Sequence, residues 1–266
     1  MFQSTPNPLN RPLAWAPPLV LLALAVTLLL SDLNRPLFLL INHHLGGPLA
    51  PSLWQSVTIL GDGMMWIALL LILHRHHPRL TYTALIAGII AGLWVHLVKG
   101  AFALPRPPAV IDPESIVILG PTYKHGSFPS GHSSTAFAMA GCLVIWMRAE
   151  WQRWGMPLLL GVAALVAISR SVVGVHWPLD ILMGAAIGWH SAMVATLFTI
   201  RFAPGPALLR GAGWLFAVCT LYLLLRYDTD YAAAQPLQHG FALFALGLVC
   251  LRIMRDESAT AAPGRV

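Results

Sequence analysis

Eight residues in two polar stretches of this 266-residue chain have the types and spacing to work on an anion. In the first stretch Lys99 is followed seven positions on by Arg106-Pro107, and Pro129-Ser130-Gly131-His132 stands directly before an apolar run. In the second come Ser169-Arg170, Gly174, His176 and, four residues after that histidine, Asp180. Lys99, Arg106 and Arg170 supply positive charge, and an arginine can hold two oxygens of a tetrahedral anion at once. Ser130 and Gly131 fall where a helix should begin, so its free N–H groups and the positive end of its dipole would face the same oxygens. Glycine at 131 would let backbone come close to the ligand. Asp180 lies about one helical turn from His176 and can accept a hydrogen bond from one ring nitrogen, leaving the other free to attack. His132, coming from the other stretch, could then protonate a departing oxygen.

Singly, each of these residues has a plainer use: a lysine or arginine at the membrane interface, a serine as helix cap, a histidine and aspartate paired at a helix end. What argues for chemistry is their convergence on one face, and that depends on the elements between them. Hydrophobic residues make up 57% of the chain and charged ones 10%, with a mean hydropathy of +0.71, far from soluble usage. Runs long enough to cross a hydrocarbon core, roughly 20 helical residues, recur along the whole length, so a cleavable signal peptide does not account for them. The pattern predicts an all-α polytopic bundle with spans near Trp15–Ser31, Val57–Leu73, Leu80–Val98, Ser133–Arg148, Met156–Ile168, Asp180–Ile200, Leu208–Arg226 and His239–Met254. Both polar stretches then fall on the same side of the membrane.

The net charge of +6 comes from sixteen Lys and Arg scattered at span ends, with no basic run of the kind that binds nucleic acid. Their distribution speaks to orientation instead. Ten fall on the side that carries both termini and six on the other, which includes Lys99, Arg106 and Arg170. By the positive-inside rule both termini are expected in the cytoplasm, and the eight residues at the periplasm or cell exterior.

The three blocks, Lys-x6-Arg-Pro, Pro-Ser-Gly-His and Ser-Arg-x5-His-x3-Asp, make the chain resemble the type-2 phosphatidic acid phosphatase superfamily over roughly Leu37 to Ile200. The resemblance implies a six-span phosphatase core in residues 1–200, two additional C-terminal spans in 201–256, and a short polar cytoplasmic tail in 257–266. It implies catalysis by His176, His132 and Asp180, and phosphate binding by Lys99, Arg106, Ser130, Gly131 and Arg170. His176 would form a phosphohistidine, with His132 acting first as acid and then as base. No metal and no cofactor are expected, since three cations beside one carboxylate would repel a divalent ion. The expected substrate is a phosphate ester or pyrophosphate of a lipid, with undecaprenyl pyrophosphate favoured because Leu37–Asn42 and Leu60–Gly63 look like the bacterial branch that acts on it.

Two other functions use the same composition. A phosphotransferase would pass the phosphoryl group to another lipid instead of water, with the same residues. A lipid transporter or flippase would need ionisable groups through the membrane's depth, whereas here only His96 and His190 stand well inside spans. The vanadium haloperoxidases, which use a similar anion site, are soluble. Among remaining features, Asp62 at the outer end of the second span reads as a solvated helix-end carboxylate, or as part of the site's lining. The apolar stretch Leu37–Trp54 reads as an interfacial loop able to guide a lipid chain. Lys124 and His125 read as solvated loop, His74, His76 and His77 as interfacial polar residues, and Cys142, Cys219 and Cys250 as apolar filler. Oligomeric state does not follow from any of these residues.

Overall fold

The structure, a computed structural model, describes residues 8–10, 12–46 and 51–261. It is built from eleven α-helices, with no strand among the described residues: α1 (Pro12–Leu29), α2 (Asn34–Gly46), α3 (Pro51–Ile59), α4 (Gly63–His74), α5 (Pro78–Phe102), the single turn α6 (Pro107–Val110), α7 (Gly131–Trp146), α8 (Ala149–Val172), α9 (Pro178–Arg201), α10 (Pro206–Leu225) and α11 (Gln235–Ala261). Prolines open α5, α9 and α10, where the missing N–H costs no hydrogen bond. Five helices are long and apolar enough to cross a membrane, and up to seven if the bent pairs α1–α2 and α3–α4 each count as one crossing. The chain is thus a multi-pass membrane protein.

The eight expected spans fall in helical segments, but Val57–Leu73 is broken at residues 60–62 by the 62° bend between α3 and α4, and three further limits differ in ways that bear on function. The stretch expected to be an interfacial loop from Leu37 to Trp54 is helical from Asn34 to Gly46, turned 108° from α1; positions 47–50 lie outside the described residues. Its one buried polar side chain explains the turn. Asn42 donates to the carbonyls of Val117 (2.8 Å), Ser171 (3.1 Å) and Val172 (3.0 Å), and accepts from the Val117 N–H (2.8 Å). The short fifth span is instead a full helix, α8, which runs past Ile168 to Val172 and so makes Arg170 a helical residue. The last helix continues to Ala261, so the boundary expected near residue 256 does not mark a helix end; positions 262–266 of the expected tail lie outside the described residues.

At the centre stands α7. It has 16 residues, about 24 Å at 1.5 Å per residue, shorter than a hydrocarbon core of roughly 30 Å. It is enclosed by α5, α8 and α9 and is buried along nearly its whole length. Its approach to α9 is set by small residues, as is usual where hydrophobicity cannot drive helices together in lipid. A Cβ built on Gly188 would lie 2.0 Å from the Ser134 carbonyl oxygen, and one on Gly184 2.3 Å from that of Ser130. The buried Trp189 of α9 donates its indole N–H to the Ala14 carbonyl at 2.7 Å, which ties α1 to this centre. Outside the centre, α10 and α11 pair with each other and with α4. His74 closes that contact: its ring hydrogen-bonds Thr81 Oγ1 (2.7 Å) and the Leu209 carbonyl (2.9 Å), and Phe216 meets it edge-on. Among the described residues no cluster of His, Cys, Asp or Glu has the makings of a metal site.

Candidate active site

The last turns of α5 and α8 and the first turns of α7 and α9 meet at one end of the bundle, with the polar segment 103–130 folded over them. Each terminus brings a different group. Lys99 comes from the last turn of α5 and donates to the Gly126 carbonyl at 2.7 Å. Ser130 caps α7: its hydroxyl accepts from the Ser133 N–H (3.4 Å) and the Ser133 hydroxyl (3.0 Å). Arg170 lies in the last turn of α8, and Asp180 is the third residue of α9.

His176 sits in the turn between α8 and α9 and is 2% exposed. That turn is held by its own backbone: the Val175 and His176 N–H groups donate to the Arg170 carbonyl at 3.0 and 3.2 Å, and Ser171 Oγ donates to the His176 carbonyl at 2.9 Å. Gly174 has φ +85° and lies so close to the Val117 carbonyl that an added Cβ would stand 2.5 Å from it, so both conformation and space demand glycine. His176 Nδ1 is 3.1 Å from Asp180 Oδ2. The same carboxylate oxygen accepts from the Trp177 N–H at 2.9 Å and from the buried Ser127 hydroxyl at 2.5 Å. With Nδ1–H donating to Asp180, the lone pair of Nε2 points out of the turn, 3.4 Å from Arg106 Nη1. Burial, then the charges of Arg106, Arg170 and Lys99, push the imidazole's pKa well below its ordinary value. The shift favours the neutral ring, whose Nε2 lone pair then accepts from Arg106 Nη1.

The arginines are set by different means. Arg106, on the folded-over segment, donates from Nε to the His125 carbonyl (2.9 Å), from Nη1 to the Val175 carbonyl (3.1 Å) and from Nη2 to the Gly126 carbonyl (3.2 Å). Arg170 is 3% exposed and donates from Nη1 to Thr58 Oγ1 (2.6 Å) and Tyr231 Oη (3.1 Å), while its buried Nε has no partner among the described residues. The His132 ring, in the first turn of α7, has no hydrogen-bond partner among the described residues. Three cations here face one buried carboxylate, Asp180.

All eight residues singled out by type and spacing converge on this end. One expected detail is different: the Ser130 N–H donates to the Asp180 carbonyl at 2.9 Å and is not free, so the free N–H groups at the head of α7 are those of Gly131 and His132. Lys124 and His125 are exposed and contribute their carbonyls, to the N–H and Nε of Arg106. Asp62 is not a simple solvated end: it caps α4 through the Met64 N–H (2.7 Å) and accepts the Tyr227 hydroxyl (2.9 Å). Thr58, Ser127, Tyr123 and Tyr231 were not legible as part of the site, because hydroxyls within or between apolar spans carry no spacing signal. The one hint was the polar run Tyr227–Tyr231 between two spans.

A helical membrane bundle with a cation-lined histidine–aspartate pair at one end defines a class, and comparison with known proteins narrows it. Residues 79–203 match the family model of the PAP2 superfamily. The undecaprenyl-diphosphatase of Sulfolobus acidocaldarius is 31% identical over 163 residues, 59% of this chain and 75% of that one. The lipid A 1-phosphatase of Rhizobium johnstonii is 30% identical over 114 residues, 41% of this chain and 44% of that one. Among solved structures, Aquifex aeolicus LpxE superposes with a TM-score of 0.55 at 27% identity, over 65% of this chain and 97% of that one. A phosphatidylglycerolphosphate phosphatase from Bacillus subtilis shares the fold with a TM-score of 0.54 at 21% identity, over 71% of this chain and 96% of that one. The chain belongs to the PAP2 superfamily and is a multi-pass membrane lipid phosphatase.

Proposed function

We propose that the protein removes a phosphate from an isoprenoid pyrophosphate of the undecaprenyl type at the extracytoplasmic face of the cytoplasmic membrane, through a phosphohistidine on His176. The observation that carries the mechanism is the orientation of His176: Nδ1 held by Asp180 at 3.1 Å, Nε2 facing Arg106. In the first step Nε2 attacks the terminal phosphorus, the bond to the bridging oxygen breaks, and His132 donates a proton to that oxygen. Lys99, Arg106, Arg170 and the free N–H groups at the head of α7 hold the non-bridging oxygens, whose negative charge rises as the transition state forms. Asp180 stabilises the imidazole as it becomes cationic. In the second step His132 takes a proton from water, water attacks the phosphorus, the P–N bond breaks, and inorganic phosphate leaves with His176 neutral again. A set of three cations and one carboxylate does this without a divalent ion.

The substrate assignment rests on the undecaprenyl-diphosphatase relative, of which this chain spans 75%. It is supported by an apolar crevice of about 320 Å³ between α4 and α5, lined by Met64, Ile67, Leu70, Leu85 and Ile89 and reaching Tyr227 and Thr135 near the site. The excess of Arg on the opposite end of the bundle supports cytoplasmic termini. The test is phosphate release by the purified protein across undecaprenyl pyrophosphate, phosphatidylglycerophosphate, phosphatidic acid and lipid A, with EDTA and with vanadate. Fastest turnover of the isoprenoid pyrophosphate, insensitive to EDTA and inhibited by vanadate, is expected. Preference for another lipid would reject the substrate, and a strict divalent-ion requirement would reject the mechanism.

A further inference from the structure

The turn between α10 and α11 lies outside residues 79–203 that match the family model, yet it reaches Arg170 directly and Arg106 through Tyr123. Tyr231 is 3% exposed, its hydroxyl oxygen accepts from Arg170 Nη1 at 3.1 Å, and its ring centroid is 5.8 Å from the guanidinium carbon. Beside it, Asp230 accepts the Tyr123 hydroxyl at 2.7 Å, and the Tyr123 ring lies 5.0 Å from the Arg106 guanidinium. Each arginine therefore has a tyrosine against it: Tyr231 belongs to the turn, and Tyr123 is tied to its neighbour Asp230.

The turn is built to hold position. Gln238 of α11 is fully buried and clasps it from below, donating to the carbonyls of Leu223 (3.1 Å) and Tyr227 (2.7 Å) and accepting the Thr229 hydroxyl (2.9 Å). Tyr227 reaches across to Asp62, and the Ala233 N–H donates to Gln55 Oε1 at 3.1 Å, so the turn is also fastened to the α3–α4 bend. Asp230 takes the left-handed conformation at φ +64°, closed by its N–H donating to Asp228 Oδ1 at 2.9 Å.

What this does for the site follows from how Arg170 is divided. Thr58 and Tyr231 together occupy Nη1, which fixes the plane of the guanidinium, while the buried Nε is left with no partner among the described residues. A buried donor without a partner costs free energy unless a ligand oxygen supplies one. We infer that the α10–α11 turn is part of the active site: Tyr231 is a positioning residue that aims Arg170 Nε at the bound phosphate, and the Asp230–Tyr123 contact holds an aromatic ring against the Arg106 guanidinium and so steadies its plane. The inference rests on the reading of Arg106 and Arg170 as phosphate ligands, and it gives the two C-terminal helices a task in catalysis.

The experiment uses the full-length protein and compares Tyr231→Phe, Tyr123→Phe and wild type in phosphate release, vanadate affinity and melting temperature. Removing the Tyr231 hydroxyl should lower kcat/KM roughly tenfold and weaken vanadate binding by a similar factor, as loss of a hydrogen bond to a charged group does. Tyr123→Phe should act in the same direction, more weakly. In an Arg170→Lys background, where the planar fork is gone, Tyr231→Phe should cost nothing further. Losses that simply add in that double variant would overturn the inference. A lower melting temperature with unchanged vanadate affinity would also overturn it, by making the turn a structural support alone. Vanadate affinity, read by protection against thermal unfolding, keeps the test independent of substrate. If wild type binds vanadate but releases phosphate from no lipid, the enzymatic reading fails while the positioning role is still decided by the vanadate values.

Discussion

His176 and His132 are separated in the chain by 44 positions and differ in how they are held, and the difference suits the roles proposed for them. His176 is held by Asp180 through Nδ1, as the proposed nucleophile requires, whereas the His132 ring has no hydrogen-bond partner among the described residues. His176→Ala should therefore abolish turnover and leave no acid-labile, base-stable phosphate on the protein in a rapid quench with labelled substrate. Label that still accumulates would show that another residue is the nucleophile. His132→Ala should slow a lipid alkoxide leaving group by about 10²-fold or more and a good leaving group much less, because protonation then matters less. The pH profile follows from the same environment. Burial and the three cations lower the folded His176 pKa, so the neutral, reactive ring persists as pH falls below the ordinary 6.5. The acidic limb of kcat/KM, which reports the free enzyme, should lie below that value, and an acidic limb at or above it would contradict the depressed pKa. The Tyr123 phenol behaves oppositely: burial and then its bond to Asp230 push its pKa up to about 12, so it stays a neutral donor across the working range.

At the scale of elements, the α7–α9 contact decides whether the two halves of the site meet. Ser130 and His132 come from α7 and Asp180 from α9, and the two helices touch backbone to backbone at Ser134 and Gly188. A methyl group at Gly188 meets main-chain atoms that cannot rotate aside. Gly188→Ala should cost about 1–3 kcal/mol of stability, as overpacking does, and lower kcat with it, measurable as melting temperature and turnover in detergent. Wild-type values for both would mean that α7 and α9 have slack here. The same logic applies to Asn42, the peg between α2, the 117 segment and the end of α8. Asn42→Ala leaves the Val117 N–H without its partner, a loss of roughly 1–3 kcal/mol, and loosens the turn that carries His176. Its melting temperature should fall, whereas an unchanged one would show that the peg is redundant.

For the whole molecule, the direction in which the bundle faces decides function, since a site for lipid phosphates reaches only one leaflet. Lys124 lies on the segment folded over the site, and Arg153 at the start of α8, whose other end carries Arg170. In a background with Cys142, Cys219 and Cys250 replaced, a cysteine at 124 should react with an impermeant thiol reagent in intact cells, and one at 153 only after lysis. The reverse pattern would put the site in the cytoplasm.

Much of this was legible in the chain because its signals are local. Apolar runs of a given length, prolines at helix starts and three blocks of fixed spacing determined the helical membrane class, the eight candidate residues and the face they share. Local periodicity carries that information because a span buries its own backbone polar groups whatever its neighbours are. Contacts between distant elements left no such trace. Asn42 stands inside an apolar stretch that reads as a loop, Thr58 and Ser127 are single hydroxyls among many, and nothing in the spacing links Tyr231 to Arg170 across 61 positions. The last two helices read as an appendage with no stated role. Only tertiary packing, by folding α10 and α11 against α4, brought their connecting turn onto the arginines, because a hydrogen bond between remote residues depends on where whole helices lie and not on what surrounds either residue in the chain.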